Sequence, residues 1–506
     1  MRENNKKLVK TILISGFGVL LSYAINLLLT PYITERLGIE AYGFISISKN
    51  MVGYAGIITV ALTSFTVRFI SVSYHEGKLE EAQAYYSSTV VASVALSAGI
   101  FICMLAVIWK LEFVLNIPEE YINSVKLLFV IVFLNFVLTT VVTPVGASAY
   151  IKNRLDLTGL IKVFSYICDA CVLLILFGLF SPRVWYVGIG SASASLVTLL
   201  CTWALARKLT PELRFQRALV SFEKVKKILQ NGMWNSLNSL GNTLNSGLDL
   251  WISNLMLSGV ETGQIAVVKT INTLFSTLYQ VVFQPFQPQL LKSYANDGKE
   301  KFINELKKTM KICGYFSNVA FAGFLALGHL YFKLWLPEQD TDMLYQLGVL
   351  TVLGSITAGV IQPVYYVNTL TLKNRLPCWI TIAGGFLNVG AMYFALRHTS
   401  LGAYAVVGTT TVIMLCINLF FNPVYSAKCL DIHPMAFYEV IVKHILSAVI
   451  MVAVMWGIAQ VLRPTEWMGL ILTAILMCVV GAGIHIIVLS NREEWKTLLT
   501  RIKKWR

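Results

Sequence analysis

Long apolar segments recur along the whole chain, and short polar stretches separate them. Each segment holds about 20 mostly apolar residues, the length at which an α-helix crosses roughly 30 Å of hydrocarbon. The pattern therefore predicts an all-α polytopic membrane protein with about 14 transmembrane helices. The segments lie near residues 10–34, 44–67, 85–109, 123–147, 158–180, 184–207, 231–257, 264–290, 309–334, 343–370, 378–397, 402–427, 444–462 and 467–490.

Composition and charge agree with this pattern and add an orientation. Hydrophobic residues make up 56% of the chain and charged residues only 13%, against about 25% charged residues in soluble proteins. Most of the 41 Lys and Arg residues fall at the two ends and in alternate loops. Because basic loops resist translocation, we expect both termini to be cytoplasmic. The net charge of +15 thus reports topology and favours anionic membrane lipids over nucleic acid as a partner.

The first apolar segment follows Arg2, Lys6, Lys7 and Lys10 and continues to about residue 34. It is longer than the core of a signal peptide and carries no A-x-A cleavage site. We therefore expect a retained first transmembrane helix and a location in the inner or plasma membrane.

The two halves of the chain repeat each other at an offset of about 220 residues. The matching stretches keep the same order and the same predicted membrane side. Because each copy contains an even number of spans, six, the copies have parallel topology and are related by an axis along the membrane normal. The matches pair residues 38–41 with 259–262, 43–49 with 263–269, 73–78 with 293–299, 109–119 with 332–338 and 152–155 with 373–376.

The repeat predicts the domain organisation. Residues 1–207 form an N-lobe of helices 1–6, and residues 231–427 form a C-lobe of helices 7–12. The basic, amphipathic segment 208–230 is interpreted as a cytoplasmic linker, and residues 428–490 as helices 13 and 14. Residues 491–506 have the spacing of an interfacial C-terminal helix, with a solvated tail as the alternative. In such folds substrate binds near the midplane between the repeats, and rocking of one lobe gives alternating access.

Polar residues at helical spacing mark the predicted seventh span. They fall within about 40° of one line if the helix is continuous, and a lipid-facing amide would be strongly unfavourable. The stripe is therefore interpreted as a wall of a hydrated cavity that follows sugar hydroxyls. The alternative is hydrogen bonding between helices. The stripe consists of Asn231, Asn235, Asn238, Asn242, Asn245 and Asp249.

Lys49 and Lys269 are equivalent positions of the repeat, each about 9 Å inside the outer face. An ammonium group at that depth favours a cavity or a partner, and two of them suit a phosphate-bearing substrate. Snorkelling to the outer headgroups is the alternative. Asp249 lies at a comparable depth and is a candidate partner for Lys269.

Two further ionisable residues are candidates for entry or coupling. Asp169, near the middle of the fifth span, suggests coupling to H⁺ or Na⁺, or else a buried pair with a Lys, Arg or Ser. Arg68, at the inner end of the second span, either meets substrate entering from the cytoplasm or follows the positive-inside rule, which we favour. The sequence suggests no catalytic residues, no metal site and no organic cofactor.

The turn from Arg36 to Phe44, RLGIEAYGF, together with the Lys-Asn-Arg loops, resembles the bacterial polysaccharide flippases. That family belongs to the multidrug/oligosaccharidyl-lipid/polysaccharide exporter superfamily. In related lipid II flippases cationic residues on helices two and eight line the cavity, and Lys49 and Lys269 occupy the matching helices. Those relatives carry Arg at these places and a third cation on the first helix, which has no clear counterpart here.

The resemblance implies a flippase that moves an undecaprenyl-pyrophosphate-linked oligosaccharide to the outer leaflet for capsule, exopolysaccharide or O-antigen. It also implies that helices 13 and 14 flank a groove for the lipid tail, and that a polymerase and glycosyltransferases act alongside. One alternative is a cation-coupled multidrug exporter of the same superfamily. A membrane-embedded polysaccharide polymerase or glycosyltransferase is an alternative of another class, which the short outer loops disfavour.

Overall fold

The structure is a computed structural model that describes residues 2–152, 154–296, 298–371 and 373–489. Every regular element in these ranges is helical. The chain divides into two compact units, and the division falls at Ala266. The first unit also includes the middle turns of a later helix, Thr381–Val389. This division follows contacts rather than sequence similarity, so the lobe boundaries predicted from the repeat stay a prediction.

The first unit is built from nine helices and the first turns of a tenth. Short 3₁₀ turns, Leu111–Phe113 and Arg217–Leu219, interrupt two of its connections. The helices are α1 (Arg2–Leu37), α2 (Ile39–His75), α3 (Leu79–Trp109), α4 (Ile122–Val145), α5 (Ala147–Ile151), α6 (Leu155–Leu179), α7 (Tyr186–Leu209), α8 (Phe222–Ser246), α9 (Asp249–Met256) and the start of α10 (Gly259–Phe283).

The second unit contains the rest of α10 and the later helices. A 3₁₀ turn at Gln284–Phe286 contains Pro285 and separates α10 from the next helix, and a π-helical turn occupies Ile417–Phe421. The helices are α11 (Gln287–Asn296), α12 (Lys299–Trp335), α13 (Thr341–Ser355), α14 (Ala358–Leu370), α15 (Arg375–His398), α16 (Ala403–Cys416), α17 (Asn422–Cys429), α18 (Tyr438–Leu462) and α19 (Trp467–Leu489).

Twelve helical segments in the described residues are long and apolar enough to cross a membrane. They coincide with the predicted spans 2–6 and 8–14, which confirms a multi-pass membrane protein. The two remaining predicted spans are also helical: the first is α1, and the seventh is divided between α8 and α9. The predicted interfacial helix at 491–506 lies outside the described residues.

One feature of the repeat recurs in the backbone. Gly77, just before α3, and Gly298, just before α12, are equivalent in sequence and have φ angles of +77° and +78°. Side chains strongly disfavour this left-handed region, so glycine is the residue that allows each turn. Both halves therefore place a glycine of positive φ shortly before a long helix.

The segment between α7 and α8 is fastened to the first unit. Gln83 donates to the carbonyl of Glu212 at 2.6 Å, and the backbone N–H of Gln216 donates to Ser87 Oγ at 2.9 Å. The Tyr74 hydroxyl donates to the Glu212 carboxylate; this bond, a backbone N–H and the Lys152 ammonium lower the pKa of Glu212. The predicted linker thus packs along the first turns of α3.

The second unit has a buried polar network among α12, α18 and α19. Asn318 donates to the carbonyl of His444 at 2.9 Å, and His485 lies 3.1 Å from Ser447 Oγ and 2.8 Å from the carbonyl of Lys311. In a membrane the apolar surroundings provide little force between helices, so such hydrogen bonds and close packing hold them. The network attaches the last two helices to α12.

Candidate functional site

The candidate site of the first unit is built on the packing of α2 against α8. The two helices run in opposite directions, because Ser236 Oγ donates to the carbonyl of Ile57 at 2.7 Å and Gly232 lies against the carbonyl of Ala61. A Cβ at Gly232 would overlap that carbonyl. Glycine therefore lets the two backbones approach, as small residues do between membrane helices.

A break in the seventh span follows this contact. The helix α8 ends at Ser246, and α9 begins at Asp249. The Tyr54 hydroxyl and the Asn50 amide, at 3.4 Å for the latter, both donate to the carbonyl of Gly247. Two donors from α2 thus occupy a carbonyl that a continuous helix would bond internally.

This break corrects the prediction of one helix from 231 to 257. Asp249 does not continue the asparagine stripe but opens α9, where its side chain is buried and close enough to Tyr54 to act on it electrostatically. The stripe of the structure is therefore the set on α8 alone.

The asparagines of α8 fall into two environments. Asn235 and Asn242 are exposed and Asn238 is half-buried, so these three lie on a face outside the packed core. Asn231 is also exposed, and its amide donates to the carbonyl of Lys227 in its own helix at 2.7 Å. The amides of Asn235, Asn238 and Asn242 thus lie where a polar wall requires them.

Asn245 has the other environment. The Asn245 amide donates to the carbonyls of Gly241 at 3.1 Å and of Thr381 on α15 at 2.6 Å. The Asn388 amide donates to the backbone carbonyl of Asn245 at 2.7 Å. The Asn245 side chain is only 1% exposed. At this position the asparagine joins two helices, as the alternative interpretation of the stripe expects.

Lys49 and Asp169 form the charged part of the site. Lys49 is exposed on α2, and its ammonium is close enough to act on the carboxylate of Asp169 on α6. The Oδ1 atom of Asp169 is buried and has no hydrogen-bond donor among the described residues. It lies against Gly190 on α7, where a Cβ would overlap it. Lys49 is thus a charged neighbour of Asp169, and a buried pair between the two stays a prediction.

The two other candidates lie away from this pair. Arg68 is exposed at the predicted inner end of α2, with its guanidinium 5.8 Å from the ring centre of Phe65. Lys269 is half-buried on α10 in the second unit, where Thr273 Oγ1 donates to its carbonyl at 2.9 Å. The ranges that the structure describes contain no group of three His, Cys, Asp or Glu residues that could hold a metal ion.

Sequence reasoning did not identify Asn50, Tyr54 or Gly190 as parts of the site. Asn50 follows Lys49 directly, and Tyr54 lies one turn further on the same face, so a polar pair at helical spacing was available as a signal. Gly190 carries no such signal, because its role depends on the carboxylate of a neighbouring helix.

Comparisons with known proteins agree on one family and one fold. Residues 8–290 match the family described as polysaccharide biosynthesis protein. The uncharacterized membrane protein EpsK of Bacillus subtilis (strain 168) is 27% identical over 486 residues, which cover 96% of each chain. These matches confirm the resemblance inferred from the RLGIEAYGF turn.

Two solved structures show the same fold. Lipid II flippase MurJ, in an inward closed conformation, matches with a TM-score of 0.69 at 14% identity, over 94% of this chain and 99% of its own. A multidrug resistance MATE family transporter of the MOP superfamily, in an inward-facing conformation, matches with a TM-score of 0.66 at 16% identity, over 82% and 95%. These neighbours are a flippase and a transporter, and none is an enzyme.

Proposed function

The chain belongs to the polysaccharide biosynthesis protein family, and from this premise we propose that it is a flippase for a lipid-linked oligosaccharide. It moves an undecaprenyl-pyrophosphate-linked repeat unit from the inner to the outer leaflet, for capsule, exopolysaccharide or O-antigen. The observation that carries the proposal is the exposed Lys49 ammonium within a membrane-spanning helix of a flippase-type fold.

Lys49 binds the pyrophosphate in this proposal. An ammonium within a span is unfavourable unless it meets an anion or water, and the carboxylate of Asp169 is close enough to interact with it. Pyrophosphate carries more charge than one carboxylate and competes for the same ammonium, which binds phosphate as a point charge. Lys269, its equivalent in the repeat, contributes a second cation.

The exposed face of α8 forms hydrogen bonds with the sugar hydroxyls in this proposal. Asn235, Asn238 and Asn242 each present a donor and an acceptor, which is the chemistry that hydroxyl groups require. Asn245 is excluded from this role because its side chain is buried, with only 1% exposed. Arg68, at the inner end, meets the anionic headgroup as it enters from the cytoplasm.

Asp169 couples translocation to a cation gradient. When Lys49 turns to the pyrophosphate, the carboxylate loses its neighbouring positive charge in a buried environment that disfavours an uncompensated negative charge. It then takes up H⁺ or binds Na⁺. Release of the substrate outside returns Lys49 to Asp169 and releases the cation on the same side, so that the substrate and the cation move outward together.

The decisive experiment compares Lys49→Ala and Lys269→Ala, singly and together, with wild type. Export of surface polymer in cells and translocation of a fluorescent undecaprenyl-pyrophosphate oligosaccharide in proteoliposomes are measured. We expect the double variant to lose at least about tenfold in translocation, the equivalent of one strong charge contact, at unchanged membrane insertion. Lys333→Ala, at the predicted outer end of α12 and exposed, is the control. Wild-type translocation by the double variant would refute the proposal.

The alternative of a multidrug exporter predicts a different substrate and a different role for Asp169. A multidrug exporter of cationic compounds needs acidic groups free in its cavity, whereas the Asp169 carboxylate stands beside Lys49. If ethidium efflux were supported by wild type and abolished by Asp169→Asn, while oligosaccharide translocation were absent, the exporter would replace the flippase.

A further inference from the structure

A cavity of about 360 Å³ opens at the predicted outer side of the first unit, away from Lys49 and the asparagine face. This volume lies in the range of sites for small molecules. Its wall combines carboxylates and amides with apolar groups, chiefly Glu40, Glu112, Asn116, Pro118, Asn254 and Leu257.

The amide side of the cavity is held in place by hydrogen bonds. The backbone N–H of Asn116 donates to Asn254 Oδ1 at 2.9 Å, and the Asn254 amide donates back to the carbonyl of Asn116 at 3.1 Å. The Trp251 indole donates to the carbonyl of Val114 at 3.1 Å. The loop from α3 to α4 is thereby attached to α9, so the wall is formed before any ligand arrives.

Glu40 is available to a ligand, whereas its repeat counterpart is not. Glu261 accepts from the backbone N–H and the hydroxyl of Ser258, at 3.2 and 2.9 Å, and so caps its own helix. Glu40 makes no such bond to Gly38, and the structure shows no hydrogen bond or ion pair for its carboxylate in the part of the chain it describes. The carboxylate instead lies against Gly259, where a Cβ would overlap it.

The charge around the cavity selects its ligand. Glu112 is paired with Lys126 at 2.7 Å, while Glu120 is near enough to act on the Glu40 carboxylate with a charge of the same sign. An anionic ligand is therefore repelled. A metal ion is disfavoured, since no group of three potential ligands occurs in the described ranges. Hydroxyl groups are suited, because carboxylates accept strong hydrogen bonds from them and Pro118 and Leu257 can contact the C–H face of a ring.

We propose that this cavity binds a neutral pyranose unit of the glycan at the outer face and excludes acidic sugars such as uronic acids. The inference rests on the proposed function and deepens it, because it names the class of sugar in the glycan that is released at the outer face. The pyranose hydroxyls bond to the Glu40 carboxylate, and the ring lies between the Asn116 loop and the start of α10.

The test measures sugar binding without lipid or pyrophosphate. The full chain in nanodiscs is titrated with glucose or with glucuronate, and hydrogen exchange of peptides covering 112–121 reports occupancy. We expect glucose to protect this loop and glucuronate to have no effect. Glu40→Gln should weaken glucose binding about tenfold, the effect of one charge-assisted hydrogen bond, and narrow the difference between the two sugars. Gly259→Ala should weaken it by displacing the carboxylate.

Glu261→Gln is the matched control, since it alters the equivalent glutamate that caps α10 and should leave glucose protection unchanged. Equal protection in wild type, Glu40→Gln and Gly259→Ala, no protection by glucose in wild type, or protection by Ca²⁺ in place of glucose would each overturn the inference. The two proposals fail separately: the double variant Lys49→Ala with Lys269→Ala should lose translocation and keep glucose protection. If glucose protection depends on Glu40 but the wild type does not translocate the oligosaccharide, the sugar-binding cavity is supported and the proposed flippase function is refuted.

Discussion

At the scale of single residues, equivalent positions of the repeat have acquired different uses. Glu40 faces a cavity while Glu261 caps a helix, and Gly38 has a φ of +86° while Gly259 is the first residue of α10. Lys49 is exposed beside Asp169, whereas Lys269 is half-buried. At these matched positions the surrounding helices thus determine the different chemistry of each residue.

The pairing of Lys49 with Asp169 gives a prediction at this scale. Asp169→Asn keeps the shape of the side chain and removes its charge and its titration. We expect translocation to lose its dependence on an imposed pH or Na⁺ gradient, and substrate to bind about tenfold more tightly, the effect of a change of about 1.4 kcal/mol, because no carboxylate competes for Lys49. Gradient-driven translocation and substrate binding in proteoliposomes measure both.

A double-mutant cycle with Lys49→Gln controls for indirect effects. In the Lys49→Gln background, Asp169→Asn should have no further effect on substrate binding. An equal effect in both backgrounds would mean that the two residues act independently.

At the scale of elements, contacts between helices set what each helix presents. The hydrogen bonds from Asn50 and Tyr54 end α8 near Gly247, and the absence of a side chain at Gly232 sets how closely α2 approaches. These two contacts determine which face of α8 remains exposed. The site therefore depends on helix packing as much as on the asparagines themselves.

Two glycines separate packing from helix propensity. Gly232→Ala would place a methyl group on the carbonyl of Ala61, and overpacking of this kind costs about 1–3 kcal/mol. Gly53→Ala, on the exposed face of α2 with no atom within 4 Å of its new Cβ, should instead gain up to about 1 kcal/mol of helix propensity. We expect opposite shifts of the thermal unfolding midpoint in detergent. Shifts of the same sign would contradict the packing role of Gly232.

At the scale of the whole molecule, more of the fold than of the candidate site could be predicted from the sequence. Hydropathy is a local property, so twelve spans fall where the apolar segments lie. The hydrogen bonds at the Gly247 break could not be predicted, because their donors, Asn50 and Tyr54, lie almost two hundred residues earlier on α2. The periodicity of α8 likewise predicts the face on which Asn245 lies, but it does not predict that its amide donates to the carbonyl of Thr381. Asp169 and Lys49 are joined only by the packing of their helices.

Alternating access makes the last prediction, and it tests the molecule as a moving whole. Asn235 and Asn242 both lie on the exposed face of α8, with Asn235 nearer the predicted cytoplasmic end by about 10 Å. If one face of the carrier opens at a time, a cysteine at 235 should be reached from inside and one at 242 from outside. Each should react in only one of the two states.

The experiment uses a variant without the nine native cysteines and an impermeant thiol reagent added from one side. Conditions that drive the carrier outward should raise the rate at 242 and lower it at 235 by similar factors, because one equilibrium governs both populations. Asn245→Cys is the control, since its buried position should stay unreactive throughout. Reaction at 235 and 242 that rises together would describe a pore rather than a carrier, and reaction at 245 alone would mean that the asparagine face is not hydrated.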